Sequence, residues 1–365
     1  MSKKHSIIIS GGKTGGHLFP AIAIAQALEK KSNNINILFI GTNTLFETMT
    51  LKEFNYRHKS IISKPVKGGS IFSKISAIII VLVSMIQASI IIKKVKPDFV
   101  LGVGGYSSFA VVLSAWLFKI PIAIHEQNSA SGVTNKILAR FAKIIFTSFE
   151  TTKGFENNPK VQYVGNPMRE SKSISKNDGL LINKLDPEKI TILITGGSQG
   201  AKSINNAVLD AFALMKDLNR FNIVHQTGLQ DEAFVKQQYK KFKIKAIVKS
   251  FINNMYLFLD VCDLVISRSG AGTISELCIK GKPSILIPFP FSADDHQTLN
   301  AKVLEAKKAA IVIKDNELTG RSLKKILEGI DESKLADMAK KSKELAMYGA
   351  GEKIADKILK LSSKV

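Results

Sequence analysis

The sequence predicts an α/β protein of two doubly wound, Rossmann-like parallel-sheet domains facing each other across a cleft. Three observations carry that expectation. Short β-branched runs bounded by glycine alternate with helical patterns, as in strand–helix–strand crossovers. The pattern occurs twice, and each copy opens with a strand that runs into a glycine loop and then a helix: IIISGGKTGGHLFPAIAIAQAL from Ile7 and ITILITGGSQGAKSINNAVLDAF from Ile190. Each copy also carries a later glycine turn, VLGVGGYSS from Val100 and VISRSGAGTISE from Val265.

In chain order, the first set of strands is expected at Ile7–Ser10, Ile35–Ile40, Phe99–Val103, Ile120–His125 and Ile144–Thr147. The second set is expected at Ile190–Thr195, Phe221–Gln226, Lys245–Lys249, Leu264–Ser267 and Ser284–Ile287. Helices are expected between most of them, such as Phe19–Lys31 and Ser203–Lys216. Gly165-Asn166-Pro167 breaks any regular element and marks a linker near Val164–Arg169. The expected division is therefore residues 1–165, residues 166–345, and a C-terminal helix over 346–365 that can return to the N-terminal domain. The pattern over Leu335–Leu361 is helical throughout.

A chain of 365 residues suits two domains, and 45% hydrophobic content is ample for two cores, which excludes a disordered chain. The net charge is +22, from 52 Lys and Arg against 30 Asp and Glu. Such a surplus points to an anionic partner: nucleic acid, anionic lipid or a phosphorylated substrate. Ordinary lysine usage on solvated faces accounts for part of it, and composition alone does not choose. The two cysteines, Cys262 and Cys278, have no metal-ligand spacing and read as core residues in a reducing compartment. The apolar run before Gly11 is too short for a signal-peptide core, so a cytoplasmic chain is expected.

Ile75–Ile92 is an 18-residue run broken only by Ser76, Ser84, Gln87 and Ser89, with Lys74, Lys93 and Lys94 at its ends. It is near the minimum for a membrane span. Ser73, Ser76, Ser84, Gln87 and Lys94 nevertheless share about a quarter of the helix circumference at ~100° per residue. A lipid-buried span gains nothing from that stripe, so a helix packed on its sheet with a free apolar flank beside lysines is the expected form. Such a flank suits a membrane surface.

The first loop, Gly11-Gly12-Lys13-Thr14-Gly15-Gly16-His17, lacks the Walker spacing and fails the dinucleotide fingerprint, which removes the main support for a nicotinamide or flavin enzyme. What remains is a loop of little side-chain bulk at a strand's carboxyl end, whose amides and following helix dipole suit a diphosphate; a plain tight turn is the alternative. A histidine just after such a loop lies where ligands of open α/β sheets bind, and imidazole can take a proton from a sugar hydroxyl. A helix-capping or packed histidine is the other reading of His17. In the second half, Ser267-Arg268-Ser269-Gly270-Ala271-Gly272-Thr273 forms another phosphate cradle, and Glu276 follows about a turn into the helix, where a carboxylate can chelate a ribose diol. An acidic residue favoured by the helix dipole explains Glu276 as well. Farther on, Gln297 can bond sugar hydroxyls, while Asp294-Asp295 is not the D-x-D pattern that holds a divalent metal.

Seven pieces then stand in order: Gly15-Gly16-His17-Leu18-Phe19-Pro20, Gly104-Gly105-Tyr106, His125-Glu126-Gln127-Asn128, Gly165-Asn166-Pro167 with Arg169, Gly196-Gly197-Ser198-Gln199-Gly200-Ala201, Arg268-Ser269-Gly270-Ala271 through Ser275-Glu276, and Gln297 with Asn300-Ala301. Through them essentially the whole chain resembles the MurG family, inverting N-acetylglucosaminyltransferases of the GT-B fold. The resemblance implies transfer from UDP-GlcNAc to the 4-hydroxyl of the MurNAc-pentapeptide of lipid I, giving lipid II and UDP in cell-wall synthesis.

Site roles follow from the same resemblance. His17 would be the catalytic base. Glu276 would hold the ribose, while Ser198 and the amides of Ala271, Gly272 and Thr273 would hold the diphosphate beside Ile274 and Ser275. The Ile252 backbone would read the uracil edge and Arg169 would contact the nucleotide. Asn128, Thr14, Gly15, Gly16 and Gln297 would contact the sugar. Gly104, Gly105, Tyr106, His125 and Glu126 would face the acceptor. No cofactor, metal or nucleic acid is implied; the partners are UDP-GlcNAc, undecaprenyl-pyrophosphoryl-MurNAc-pentapeptide and an anionic membrane surface, at the cytoplasmic face of the membrane. Trp116 with the Ile78–Met85 flank would form the membrane-facing patch, ordinary core packing being the alternative for Trp116. Gly272 and His296 depart from the usual family residues. The rival readings are a diacylglycerol-glycosylating relative, a UDP-GlcNAc epimerase of the same fold, and a silent nucleotide-sugar sensor.

Overall fold

A computed structural model of the chain describes residues 5–12, 14–63, 71–169 and 173–363, with residues 71–74 described by their backbone. Lys13 of the first glycine loop and the side chains of Ser73 and Lys74 lie outside the described residues. The chain divides into two compact units, Met1–Glu170 together with Met347–Val365, and Ser171–Ala346.

The first unit is a seven-stranded parallel sheet: β1 (His5–Ser10), β2 (Ile35–Gly41), β3 (Arg57–Ser60), β4 (Phe99–Gly102), β5 (Ile122–Glu126), β6 (Ile144–Thr147) and β7 (Val161–Tyr163), in the order β3-β2-β1-β4-β5-β6-β7. Its helices are α1 (Gly15–Lys31), α2 (Leu45–Glu53), α3 (Ile71–Val95), α4 (Tyr106–Leu117) and α5 (Val133–Leu138). Successive strand residues point to opposite faces, so β1 divides its isoleucines between two cores. Ile7 and Ile9 join Ile22, Leu28, Ile354 and Ile358, whereas Ile8 joins Ala88 and Ile92 of α3 and Val111, Val112 and Ala115 of α4. Burial on both sides is why these strands read as unbroken apolar runs rather than alternating ones.

The second unit repeats the plan after α6 (Lys176–Ile182). Its strands are β8 (Ile190–Thr195), β9 (Phe221–Gln226), β10 (Ala246–Lys249), β11 (Leu264–Ser267), β12 (Ser284–Leu286) and β13 (Ala310–Val312), in the order β10-β9-β8-β11-β12-β13. The helices are α7 (Lys202–Leu214), α8 (Glu232–Lys241), α9 (Met255–Val261), α10 (Ala271–Lys280), α11 (His296–Ala306), α12 (Gly320–Glu328) and α13 (Glu332–Glu344). Ile192 and Ile194 of β8 share a core with Ile204, Val208 and Phe212 of α7 and with Leu323 and Leu327 of α12. In each unit the strand order reverses beside the first strand, between β1 and β4 and between β8 and β11. That reversal is the switch point where open α/β sheets leave a crevice for ligands.

Three features differ from expectation. Helix α1 begins at Gly15 rather than Phe19, with Thr14 as N-cap, which puts His17 inside its first turn. The C-terminal pattern is two helices: the chain turns through left-handed Gly349 (φ 70°) before α14 (Ala350–Ser362). Helix α13 stays with the second unit, where the Ser342 hydroxyl donates to Leu277 O at 3.2 Å, and α14 packs on α1. The edge strands β3, β7 and β13 lie outside the expected set; they carry four, three and three residues.

Helix α3 is long and apolar enough to cross a membrane, but only 17% of its most apolar stretch is buried. Two of its polar positions, Ser84 and Gln87, face inward, whereas Ser76 and Lys94 are exposed. The Ser84 hydroxyl donates to Ile80 O at 2.6 Å and to Ile62 O, and Gln87 Oε1 accepts from Ile62 N at 2.8 Å. The opposite face presents Ile75, Ile79, Leu82, Ile86 and Ile90, each at least half exposed. Trp116 packs on Phe141 at 4.7 Å between ring centroids yet stays 45% exposed, and Lys93 Nζ sits 5.5 Å from the Phe118 ring.

Candidate active site

In the first unit, the loop after β1 and the loop after β4 meet at the switch point. Their approach requires glycine: Gly11 has φ +128°, and a Cβ there would lie 2.4 Å from Gly104 O. Gly104 has φ +97°, and a Cβ on it would come within 2.9 Å of His17 Cε1. The His17 ring therefore lies flush against bare backbone. Its Nδ1 is 2.9 Å from Gln127 Oε1. Gln127 Nε2 in turn lies 3.0 Å from Val103 O and 2.9 Å from His125 Nδ1, and His125 Nε2 lies 3.2 Å from Ser148 Oγ. Complete burial pushes the His125 pKa down to about 3, so its ring is neutral.

Thr14 and Gly16 are exposed beside His17, Gly15 is partly so, and Tyr106 opens α4 behind Gly105 as N-cap. His125 and Glu126 do not share that exposure. His125 is 0% and Glu126 2% exposed. Glu126 Oε1 accepts from Asn128 N at 3.1 Å, and Oε2 accepts from Gly132 N at 3.1 Å and Asn135 Nδ2 at 2.9 Å. Both residues, expected to face the acceptor, are instead internal supports that shape the Gln127–Gly132 loop and present Asn128. Hydrogen bonds from Asn128, Gly132 and Asn135 hold Glu126 inside the unit, and of the four motif residues only Asn128 stays partly exposed. Arg169 stacks its guanidinium 4.1 Å from the Phe19 ring centroid, with Phe54 at 5.7 Å.

Two residues of this region were not selected from the sequence. Gln127 sat unremarked inside the His125-Glu126-Gln127-Asn128 motif. Glu47 is 1% exposed; it accepts from Thr42 N at 3.0 Å and the Thr42 hydroxyl at 2.6 Å, and fills the space a Cβ on Gly12 or Gly41 would take. Nothing in its helix marks it as buried, since only the fold brings β2 and the first loop over it.

In the second unit, the loop after β8 exposes Ser198, and the loop after β11 leads into α10. Gly270 is the N-cap of α10 and offers no side-chain acceptor, so the first-turn amides of Ala271, Gly272 and Thr273 lack a side-chain cap. An uncapped helix start of this kind suits an anion. Ile274 is buried, and the Ser275 hydroxyl donates to Ala271 O at 2.9 Å, so the first is turned into the unit and the second back onto its own helix. Glu276 is partly exposed in the next turn. Gln297 Oε1 accepts from Phe289 N at 3.0 Å and Ser269 N at 3.3 Å, which leaves Nε2 as the end with donors for a ligand. Ile252 departs from expectation in part: its amide donates to Gln226 Oε1 at 2.8 Å, so its carbonyl is the half that can read a base edge. Arg268 is a clamp, bound to Asp315 at 2.5 Å, Ser203 at 3.0 Å, and the carbonyls of Ile287 and Pro288. Among the described residues no three His, Cys, Asp or Glu side chains converge as a metal site needs.

Two Rossmann-like domains, each with a glycine loop and a helix start at its switch point, are the plan of the GT-B class, and the sequence matches make the chain a glycosyltransferase of that class. Residues 7–147 match the N-terminal domain and residues 191–356 the C-terminal domain of glycosyltransferase family 28. The UDP-N-acetylglucosamine–N-acetylmuramyl-(pentapeptide) pyrophosphoryl-undecaprenol N-acetylglucosamine transferase of Myxococcus xanthus is 36% identical over 353 residues, 96% of this chain and 91% of that one. The transferase of the same name from Thermodesulfovibrio yellowstonii is 39% identical over 358 residues, covering 96% and 97%. The crystal structure of Acinetobacter baumannii MurG superposes with a TM-score of 0.80 at 30% identity, covering 98% of this chain and 100% of that one. The chain belongs to this family of N-acetylglucosamine transferases.

Proposed function

We propose that the chain transfers N-acetylglucosamine from UDP-N-acetylglucosamine to the 4-hydroxyl of the N-acetylmuramyl sugar of lipid I, forming lipid II and UDP with inversion at the transferred carbon. The observation that carries this reading is the family match in both domains, joined to a histidine at the first switch point. The chemistry is a displacement. The bond from the sugar anomeric carbon to the diphosphate oxygen breaks as the bond to the acceptor oxygen forms, and His17 takes the hydroxyl proton. Charge builds on the leaving diphosphate, which the amides at the start of α10 and Ser198 are suited to stabilise. Glu276 holds the ribose, the Ile252 carbonyl reads the uracil, and Arg169 contacts the nucleotide. Asn128, Thr14, Gly15, Gly16 and Gln297 contact the transferred sugar. Gly104, Gly105 and Tyr106 meet the acceptor's pyrophosphate, while His125 and Glu126 support the Gln127–Gly132 loop from within.

The acceptor carries an undecaprenyl chain, and the exposed apolar face of α3, with Trp116 and Lys93 at its end, supports peripheral binding at the cytoplasmic membrane surface. Shallow insertion and attraction of a +22 chain to anionic lipid act together there.

The test is turnover of labelled UDP-N-acetylglucosamine by the purified chain with a panel of lipid acceptors. Lipid I should be the productive one. His17→Ala should lower turnover by about 10²–10⁴ with little change in UDP affinity, the usual worth of a general base. Near-normal turnover in that variant would move the base elsewhere, and turnover of diacylglycerol in place of lipid I would overturn the substrate.

A further inference from the structure

We propose that Gln127 is a positioning residue that sets the tautomer of His17, accepting the proton on Nδ1 and leaving the lone pair on Nε2. The inference rests on His17 being the base and adds how that base is kept in its competent form.

The tautomer follows from donors and acceptors that have only one choice. The Val103 carbonyl can only accept, so the Gln127 atom 3.0 Å from it is the amide nitrogen. That nitrogen is also 2.9 Å from His125 Nδ1, which must then accept. The His125 proton is thereby left on Nε2, with Ser148 Oγ at 3.2 Å to receive it. Burial holds the His125 ring neutral, so it keeps an accepting nitrogen for Gln127. With its amide nitrogen so placed, Gln127 turns Oε1 to His17 Nδ1 at 2.9 Å. An amide oxygen cannot donate, so Nδ1 carries the hydrogen. Flipping the amide would set oxygen against the Val103 carbonyl and the His125 lone pair, losing both bonds. Gln127 is 1% exposed, so water does not replace a lost partner. The Gly104 backbone closes the space beside the ring, where a Cβ would lie 2.9 Å from Cε1. Free imidazole favours the Nε2–H tautomer, the wrong one for this role. A second residue is therefore needed to reverse the preference, as a partner on the far nitrogen does for many functional histidines.

The test combines a direct readout with kinetics on the full chain. The protein has six histidines, so uniform ¹⁵N-histidine labelling gives a small spectrum in which His17 is assigned by its loss in His17→Gln. The wild-type resonances should show a protonated Nδ1 and an unprotonated Nε2. Gln127→Met, of similar length but without the amide, should shift them towards the Nε2–H form. The same variant should lose about 10–100-fold in kcat, the usual cost of removing such a partner, with UDP-N-acetylglucosamine KM unchanged. Gln127→Glu keeps an acceptor for Nδ1–H but gives up the donors to Val103 O and His125 Nδ1. It should restore that tautomer and part of the turnover, with the acidic limb of the pH profile moved to higher pH because a carboxylate stabilises the imidazolium. Among the described residues the titratable neighbours of this assembly are Glu126, beside Gln127 in sequence, and the two rings of His17 and His125 themselves. A wild-type His17 in the Nε2–H form overturns the proposal, as does a tautomer unchanged by Gln127→Met, or equal losses with identical pH profiles in both variants. Retained turnover in His17→Ala with the tautomer shift intact would separate a failure of the base assignment from a failure of this one.

Discussion

Acid should destabilise the second unit through a single histidine. His225, on β9, is 0% exposed, with Nε2 3.0 Å from Asn205 Oδ1 and Nδ1 2.9 Å from the Tyr239 hydroxyl. Asn205 Nδ2 donates to Thr227 O at 3.0 Å and Asp231 Oδ2 at 2.8 Å, so Oδ1 faces the ring and accepts from Nε2. Nδ1 then accepts from the tyrosine. Burial pushes the His225 pKa down to about 3, whereas an unfolded histidine titrates near 6.5. Between those values the unfolded chain binds a proton that the folded chain refuses. Stability from this residue is therefore whole above pH 6.5 and falls as pH drops towards 3. A difference of one proton is worth about 1.4 kcal/mol per pH unit, so going from pH 6.5 to 5 should cost about 2 kcal/mol. The comparison is wild type against His225→Gln, because carboxylate titration is common to both and cancels. The chain supplies its own reporters. Trp116 is the only tryptophan and reads the first unit, while Cys262 and Cys278 are the only cysteines and lie buried in the second. Unfolding in urea, followed at each pH by thiol exposure to a disulfide reagent that reacts in acid, isolates the second unit. The variant should start less stable and lose about 2 kcal/mol less between pH 6.5 and 5. Parallel losses in the two proteins would show that His225 does not carry the acid sensitivity.

Two further outcomes follow from the site and the surface. Glu276→Ala should weaken UDP-N-acetylglucosamine binding by about 10–100-fold, the worth of one charged hydrogen-bonding group, with the melting temperature little changed; equal affinity by calorimetry would remove Glu276 from the ribose site. Leu82→Glu with Ile86→Glu changes two side chains that are 55% and 60% exposed, so folding should be spared. Binding to anionic vesicles should fall by about tenfold or more through lost insertion, and wild-type binding should weaken with added salt. Vesicle binding of wild type that resists both high salt and alkaline carbonate would instead favour a true span.

Much of the fold was written locally. The double-sided cores make β1, β4, β8 and β11 read as apolar runs, and the bends that follow them need glycine wherever two loops touch, as at Gly11 and Gly104. Those two demands act on neighbouring residues, so the sequence alone displayed two Rossmann-like domains and the loops at their switch points. It also displayed the motifs on which His17, Glu276 and Gln297 stand. Other features depend on what lies across space. The edge strand β3, Arg57-His58-Lys59-Ser60, has three exposed positions and pairs only because β2 is beside it. The polar stripe of α3 was visible at helical spacing, but only packing turned Ser84 and Gln87 inward to the Ile62 backbone and left isoleucines outside. The helical pattern after Leu335 continues through a segment that Gly349 breaks, because α13 and α14 answer to different cores. The deepest case is His125-Glu126-Gln127-Asn128. The sequence determined that polar residues end a buried strand at a ligand crevice. Which of them meets the crevice, which anchors the loop and which holds the imidazole was decided by Val103 O, Asn135 and Ser148, because hydrogen bonds to groups nine or more residues away in sequence on either side leave no periodic trace for a reader of the chain.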